Sequence, residues 1–201
     1  MTVFNNVSVN SKVMLLVGSI SPASHTRTLM KSIESSLIAR SVEVIFWDLR
    51  ARPLPIADPI YQHDLNSHPN PNVLEFISNA RKANAYVLGS PLYHGSYSGV
   101  LKNALDHLWY GAFRRKPVAL VSHASTATGS LAPCFDLQSV VRTLYGYVCQ
   151  TQIGSHKGCF DHSDEQPKLF DEEIANRIER LVDELLELSL RLQTEIVSVK
   201  S

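Results

Sequence analysis

The chain reads as an α/β protein, a five-stranded parallel sheet in a three-layer sandwich with helices on both faces. Three observations carry that reading. Short β-rich apolar runs alternate with stretches whose apolar residues recur at i, i+3, i+4, i+7, the stripe of an amphipathic helix. The strand runs are unbroken, as in Val13-Met14-Leu15-Leu16-Val17, which marks strands covered on both sides. No internal repeat divides the 201 residues, a length that suits one domain with a substantial core.

Taken in order, residues 13–17 form the first strand, 18–25 a loop, and 26–39 a helix with Leu29, Met30, Ile33 and Leu37 inward. Residues 42–47 form the second strand, ending at Asp48. The stretch 49–71 is the longest irregular segment, because Pro53, Pro55, Pro59, Pro69 and Pro71 exclude regular structure. Loops of that length are usually functional or mobile. Asn72 then caps a helix carrying Val73, Phe76, Ile77 and Ala80. The third strand is 85–90, and Leu101, Ala104, Leu105 and Leu108 mark a helix to about residue 110. Residues 118–121 form the fourth strand, 122–131 a Ser/Thr/Ala/Gly loop, and 132–144 a helix with Cys134, Leu137, Val141 and Leu144 inward. The fifth strand is 147–153, followed by a loop over 154–167 and a last helix over 168–197. Residues 1–11 hold no positive charge and no long apolar run. They are expected to be a loose arm, not a signal peptide, leaving 12–201 as a single domain.

Alternating strands and helices give right-handed crossovers. Of the two plausible orders for such a sheet, the flavodoxin-like 2-1-3-4-5 places the cleft between strands one and three. The three loops richest in Gly, Ser and Thr, those after strands one, three and four, then converge on one site.

Composition narrows the partners. Hydrophobic residues make up 44% and charged residues 19%, as in an ordinary globular protein. Nineteen basic and nineteen acidic side chains cancel, which argues against nucleic acid as the main partner. Cys134, Cys149 and Cys159 are odd in number and widely spaced, favouring reduced thiols and a cytoplasmic location. No apolar stretch approaches the roughly 18 residues of a membrane span.

The first loop, Gly18-Ser19-Ile20-Ser21-Pro22-Ala23-Ser24-His25-Thr26-Arg27, joins hydroxyls at Ser19, Ser21, Ser24 and Thr26 to the free amides of a helix start and the Arg27 guanidinium. That combination is an anion site. A helix capped by Ser24 with incidental serines is the plainer alternative, and Arg27 could equally pair with an acidic neighbour. Neither G-x-G-x-x-G nor G-x-x-x-x-G-K-[ST] is present, so neither a dinucleotide Rossmann site nor a P-loop is indicated. The loop after strand three, Pro91-Leu92-Tyr93-His94-Gly95-Ser96-Tyr97-Ser98-Gly99, brings planar side chains and glycines that let the backbone approach something flat.

With both loops read, the chain resembles the NAD(P)H-dependent FMN reductase family. The matching pieces are Gly18-Ser19 with Ser24-x-Thr26-Arg27-x-Leu29, and the run from Pro91 through Ser98-Gly99-x-Leu101-Lys102-Asn103-Ala104-Leu105-Asp106. Phe113 and Lys116-Pro117-Val118 also fit, and the likeness spans about residues 12–152. The resemblance implies that Ser19, Ser24, Thr26 and Arg27 hold the FMN phosphate. It places Pro91, Leu92, Tyr93, His94, Gly95 and Ser96 along the isoalloxazine, with Ser122, His123, Ala124 and Ser125 closing the other side. Relatives commonly carry glycines in that last loop, whereas this chain has His123-Ala124-Ser125-Thr126-Ala127-Thr128-Gly129.

The expected function is therefore an FMN-dependent oxidoreductase taking hydride from NADPH or NADH and passing electrons to a small-molecule acceptor. Free flavin, a quinone, an azo compound or a metal oxyanion would serve. Rivals are an FMN-bound reductase of one dedicated metabolite, a flavodoxin-like electron carrier, and a binding protein without redox role. Neutral net charge counts against the carrier. Hydride transfer between stacked rings needs orientation more than an acid or base, so no catalytic side chain is assigned. Reduced flavin tends towards an anion, which backbone amides of the two ring loops would stabilise. Arg114-Arg115-Lys116 could attract the 2′-phosphate of NADPH, but reads better as a solvated turn. His156, Cys159 and His162 match no zinc spacing, and no metal is expected. The stripe Ile174, Ile178, Leu181, Leu185, Leu188, Leu192 suits packing on the sheet or a helix–helix dimer contact. Family likeness implies a homodimer or homotetramer, with a neighbour's 49–71 segment beside the flavin and a flavin-dependent monooxygenase as a conceivable partner.

Overall fold

A computed structural model describes residues 11–198. The expected arm lies outside the described residues except for Ser11, which is buried against the fold. The order along the chain is β1 (Lys12–Val17), α1 (His25–Ala39), β2 (Glu43–Asp48), α2 (Pro71–Lys82), β3 (Ala85–Pro91) and α3 (Gly99–Asp106). There follow β4 (Pro117–Ala124), α4 (Ala132–Thr143), β5 (Tyr147–Val148), β6 (Ile153–His156), β7 (Phe160–Asp161), β8 (Lys168–Leu169) and α5 (Glu172–Ser198). The sheet is parallel in the order β2-β1-β3-β4-β5, with β6 also on β4.

Strand alternation sorts the side chains into two cores. Met14, Leu16, Tyr86, Leu88, Val118 and Leu120 meet α2, α3 and α4 on one face. Val13, Leu15, Val17, Ala85, Val87, Ala119 and Val121 meet α1 and α5 on the other. β3 is buried along its whole length, as the central strand of a doubly covered sheet must be. The stripe of α5 belongs here: Ile174, Ile178, Leu181 and Leu185 are buried in the second core and Leu188 packs on its margin.

Four boundaries differ from the sequence reading. Asn70, not Asn72, caps α2; its Oδ1 accepts the Asn72 N–H at 2.9 Å, and Pro71 takes the first helical position, where a missing N–H costs nothing. The fifth strand is broken. β5 pairs Val118 with Val148, whereas β6 pairs Val121 with Ile153, so two extra residues are accommodated in between. Their polar backbone is met by α5: Glu184 accepts the amides of Gln150 (2.5 Å) and Thr151 (2.8 Å), and Arg177 Nε donates to the Gln152 carbonyl (2.6 Å). Lys168 does not begin a helix but pairs antiparallel with Asp161, and Asp171 starts α5 by accepting the Ile174 N–H at 3.0 Å. Finally, α3 ends at Asp106, with turns continuing to residue 115.

The proline-rich segment is irregular apart from short 3-10 turns at Pro59–Tyr61 and Leu65–Ser67. Asn103 on α3 anchors it twice, donating to Pro55 O (2.7 Å) and accepting from Ala57 N (2.9 Å), while His107 Nε2 contacts Pro55 O at 2.9 Å.

At the head of the sheet, Gly18 leaves no room for a side chain. A Cβ there would stand 2.8 Å from Leu101 Cβ and 2.9 Å from Gly89 O. Gly18→Ala is expected to lower unfolding stability by about 2–3 kcal/mol through overpacking, read as a lower midpoint in urea with unchanged slope.

Candidate functional site

The loops after β1, β3 and β4 meet at the carboxyl end of the sheet, where open α/β folds bind ligands. They enclose a cleft of about 280 Å³ lined by Ser19, Ser21, Ala23, Ser24, His25, Thr26, Pro91, Leu92, Tyr93, His123, Ala124, Ser125 and Lys157. A wider depression of about 610 Å³ behind Arg27 and Asp48, lined from the loop after β1 and the end of β2, carries no aromatic side chain in its lining.

One wall is the start of α1. Ser24 caps the helix by accepting the Arg27 N–H at 3.1 Å. The amides of His25 and Thr26 have no intrahelical acceptor, since the first N–H groups of a helix never do. Ser19, Ser24 and Thr26 are buried while lining the cleft, so three hydroxyls and a helix start present themselves together.

Arg27 does not line that wall. Its Nε donates to Asp48 Oδ2 at 2.5 Å and its Nη2 to Oδ1 at 3.3 Å, a two-point ion pair with the end of β2. The remaining N–H groups hold the carbonyls of Ser19 (3.1 Å), Ser21 (2.9 Å) and Pro22 (3.3 Å). Arg50 Nη1 adds Ile20 O at 2.6 Å. In a trans peptide the N–H points opposite to the preceding carbonyl. Drawing these carbonyls back therefore turns the amides of Ile20, Ser21 and Ala23 away from the guanidinium groups. Arg27 shapes the loop from behind.

The second wall comes from β3. Pro91, Leu92 and Tyr93 line the cleft, and the Leu92 N–H is held by His123 O at 2.7 Å. His94 and Gly95, with φ of 49° and 89°, form a two-residue turn closed by reciprocal bonds between Tyr93 and Ser96 (2.9 and 3.1 Å). That turn carries His94, Gly95 and Ser96 off the lining, although the resemblance set all three along the ring. A Cβ on Gly95 or Gly99 would meet no protein atom within 4 Å.

The third wall is the end of β4, longer than the sequence suggested. His123, Ala124 and Ser125 line the cleft. Ser122 turns to the opposite face, donating its hydroxyl to the Ser130 carbonyl and accepting from Cys134 Sγ at 3.2 Å, so it is absent from the lining. Cys134 is buried, which pushes its thiol up to about 12 and keeps it inert.

Three lining residues had no signal of their own in the sequence: Ala23, His25 and Lys157. His25 stacks on His123, with ring centroids 4.2 Å apart and planes 5° from parallel. Phe160 and His162 close edge-on against His25, both at 4.9 Å. Burial, then His162 and Lys157, lowers the His25 pKa. Burial, then His25, His156 and His162, pushes His123 down to about 3. Among the described residues no three of His, Cys, Asp and Glu stand where they could hold a metal ion.

The basic run 114–116 sits at the other end of the sheet, leading into β4. Arg114 lies over the Tyr145 ring at 4.6 Å and Arg115 donates to Leu192 O at 3.1 Å. Lys116 is half-buried against Ala80 O (3.3 Å) and Tyr86 Oη (3.4 Å), where burial lowers it to about 8. Lys116 thus packs on the end of α2, while Arg114 and Arg115 stay exposed in the turn that the sequence predicts.

A family model described as NADPH-dependent FMN reductase matches residues 11–158. The chain belongs to that family. It is an FMN-dependent, NAD(P)H-oxidising enzyme on the flavodoxin-like fold. An FMN-dependent NADPH-azoreductase of Staphylococcus saprophyticus is 35% identical over 176 residues, covering 87% of this chain and 93% of that one. Among solved structures, a flavoenzyme NAD(P)H:(acceptor) oxidoreductase from Paracoccus denitrificans superposes with a TM-score of 0.72 at 21% identity, over 90% of this chain and 98% of the other. A flavodoxin from Streptococcus pneumoniae superposes with a TM-score of 0.58 at 10% identity, over 88% and 99%. These two likenesses speak to the fold.

Burial lowers His107 as well, and the lowered histidines have a measurable consequence. In the unfolded chain they titrate near their ordinary 6.5, so below that pH the unfolded state binds more protons than the folded one. Stability from His25, His107 and His123 is complete above about pH 6.5 and drains away as pH falls. Flavin-free protein is expected to melt several degrees lower at about pH 5.5 than at about pH 7.5, and His123→Gln to lessen that difference.

Proposed function

We propose that FMN lies across this cleft, its phosphate at Ser19, Ser24, Thr26 and the first amides of α1, and its ring against Pro91–Tyr93 and Ala124–Ser125. The observation that carries the reading is the pairing of buried hydroxyls at a helix start with an apolar and aromatic wall across a cleft of about 280 Å³. The orphaned, buried Nε2 of His25 fits the same group, being a polar atom without a protein partner at the phosphate side. Arg27 is a positioning residue in this account, acting through the carbonyls it draws back.

When bound, FMN supplies two-electron chemistry, and the protein supplies binding, orientation and electrostatics. No side chain is assigned as a proton donor. Tyr93, 46% exposed, stands at the rim, where a flat acceptor would stack. The acceptor we favour is an azo compound or quinone, by likeness to the staphylococcal azoreductase. We place the enzyme in the cytoplasm, in keeping with three buried free cysteines and the absence, among the described residues, of a helix long and apolar enough to cross a membrane. We also propose a homodimer or homotetramer, which would cover Ile56 and Ile60, exposed at 84% and 71% on the segment held by α3.

In an anaerobic titration, about one equivalent of NADPH is expected to bleach the bound flavin, and an azo dye or quinone to restore it with loss of the acceptor. Flavin that stays oxidised under NADPH would point to a carrier. Ser24→Ala is expected to cost about 1 kcal/mol of stability through the lost cap and to weaken FMN several-fold by equilibrium titration, with riboflavin less affected. Equal affinity for FMN in this variant would refute the phosphate assignment.

A further inference from the structure

A phosphate monoester is close to a dianion above about pH 6, and hydroxyls and amides complete its hydrogen-bond shell without neutralising it. The obvious counter-charge, Arg27, is committed to Asp48 and to three carbonyls behind the loop. Arg50 lies behind the same loop, on Ile20 O. Lys157 is the one full cation in the cleft lining, which contains no carboxylate.

Histidines crowd the same place, and their hydrogen bonds settle where each can accept a proton. Ser155 Oγ donates to Ser122 O at 3.2 Å, so it accepts from His123 Nδ1 at 3.1 Å. His123 Nε2 is then a bare lone pair. His156 Nδ1 accepts the Gly158 N–H at 3.1 Å and cannot be protonated there without breaking that bond. His162 Nε2 donates to Lys157 O at 3.2 Å. His25 Nε2 is buried with no partner. The stack thus carries proton-accepting capacity on both rings, at the first residue of α1 and the end of β4.

Resting on the FMN reading above, we propose that the stacked His25–His123 pair takes up a proton when a phosphate monoester enters the cleft, supplying the positive charge that Arg27 cannot. Without an anion, the groups facing the stack resist protonation: His156 on β6, Lys157 and His162 beyond it, and burial by Phe160. On β7, Asp161 is held by the Ser163 amide and hydroxyl, and Lys168 by Asp164. A dianion reverses the balance, because a charge of opposite sign nearby favours the imidazolium. Taking up one proton rather than two also avoids placing two like charges in contact across the stack.

The test is flavin binding to the full chain between about pH 7 and pH 8.5, where the phosphate stays a dianion. FMN dissociation constants are expected to rise about 3- to 10-fold across that range, and calorimetry in two buffers of different ionisation heat to read uptake of roughly half a proton or more. Riboflavin, lacking the phosphate, should show neither effect. His25→Lys, with a charge fixed through this range, should keep FMN and flatten the slope. His25→Gln and His123→Gln should weaken FMN about 10-fold or more while sparing riboflavin, with melting curves showing that they fold. A pH-flat FMN affinity in the unaltered chain, or a slope that survives both glutamine variants, would overturn the proposal and leave the FMN reading standing. If neither flavin binds, both fall.

Discussion

Both polar groups of Gly18 are spent on joining two loops. Its N–H donates to Gly89 O at 2.7 Å, and its carbonyl accepts from Ser98 Oγ at 2.6 Å. The same Ser98 caps α3 through the Leu101 N–H (3.3 Å) and donates its own N–H to Ser90 Oγ (2.9 Å). The ends of β1 and β3 and the start of α3 therefore form one buried unit. A side chain at Gly18 would prise it apart. Because the serine-rich wall and the Pro91–Tyr93 wall of the cleft grow from those two strands, their spacing is set by this contact rather than by any ligand.

Arg27 illustrates how charge can serve shape. Its ion pair with Asp48 is mostly buried, at 17% and 16% side-chain exposure, and two-point in geometry. Pairing cancels the charge locally, while the leftover N–H groups set the curvature of the loop. A guanidinium is well suited to this, because its fork of five donors is planar and rigid. The cleft is left polar but nearly uncharged on that side, so electrostatics within it are left to Lys157 and to weakly basic rings.

Much of this was legible in the sequence. The unbroken runs of β1 and β3 and the inner stripe of α1 follow from apolar periodicity, a signal that depends on local sequence alone, whereas the sheet order was one of two that the alternation left open. Ser24 was readable as a cap, and convergence of three loops followed from topology. What escaped depended on contacts across the fold. The break between β5 and β6 exists because Glu184 and Arg177, some 25 to 34 residues away, satisfy the interrupted backbone. Ser122 faces away because β4 runs on to Ala124 and continues the alternation past the expected end. His25 and Lys157 join the cleft from positions with no motif, and His156 and His162, noticed only for their metal-like spacing, belong to the same cluster.

The interrupted fifth strand has a further effect at the rim of the sheet. Outer strands expose a ladder of unpaired amides and carbonyls on which foreign chains can nucleate. Here that border consists of a two-residue piece and a four-residue piece offset by an inserted kink, with part of its backbone already claimed by α5 side chains. No long straight template is offered on this flank. The device that delivers Ser155 and His156 to the neighbourhood of the cleft also guards the protein against intermolecular strand addition.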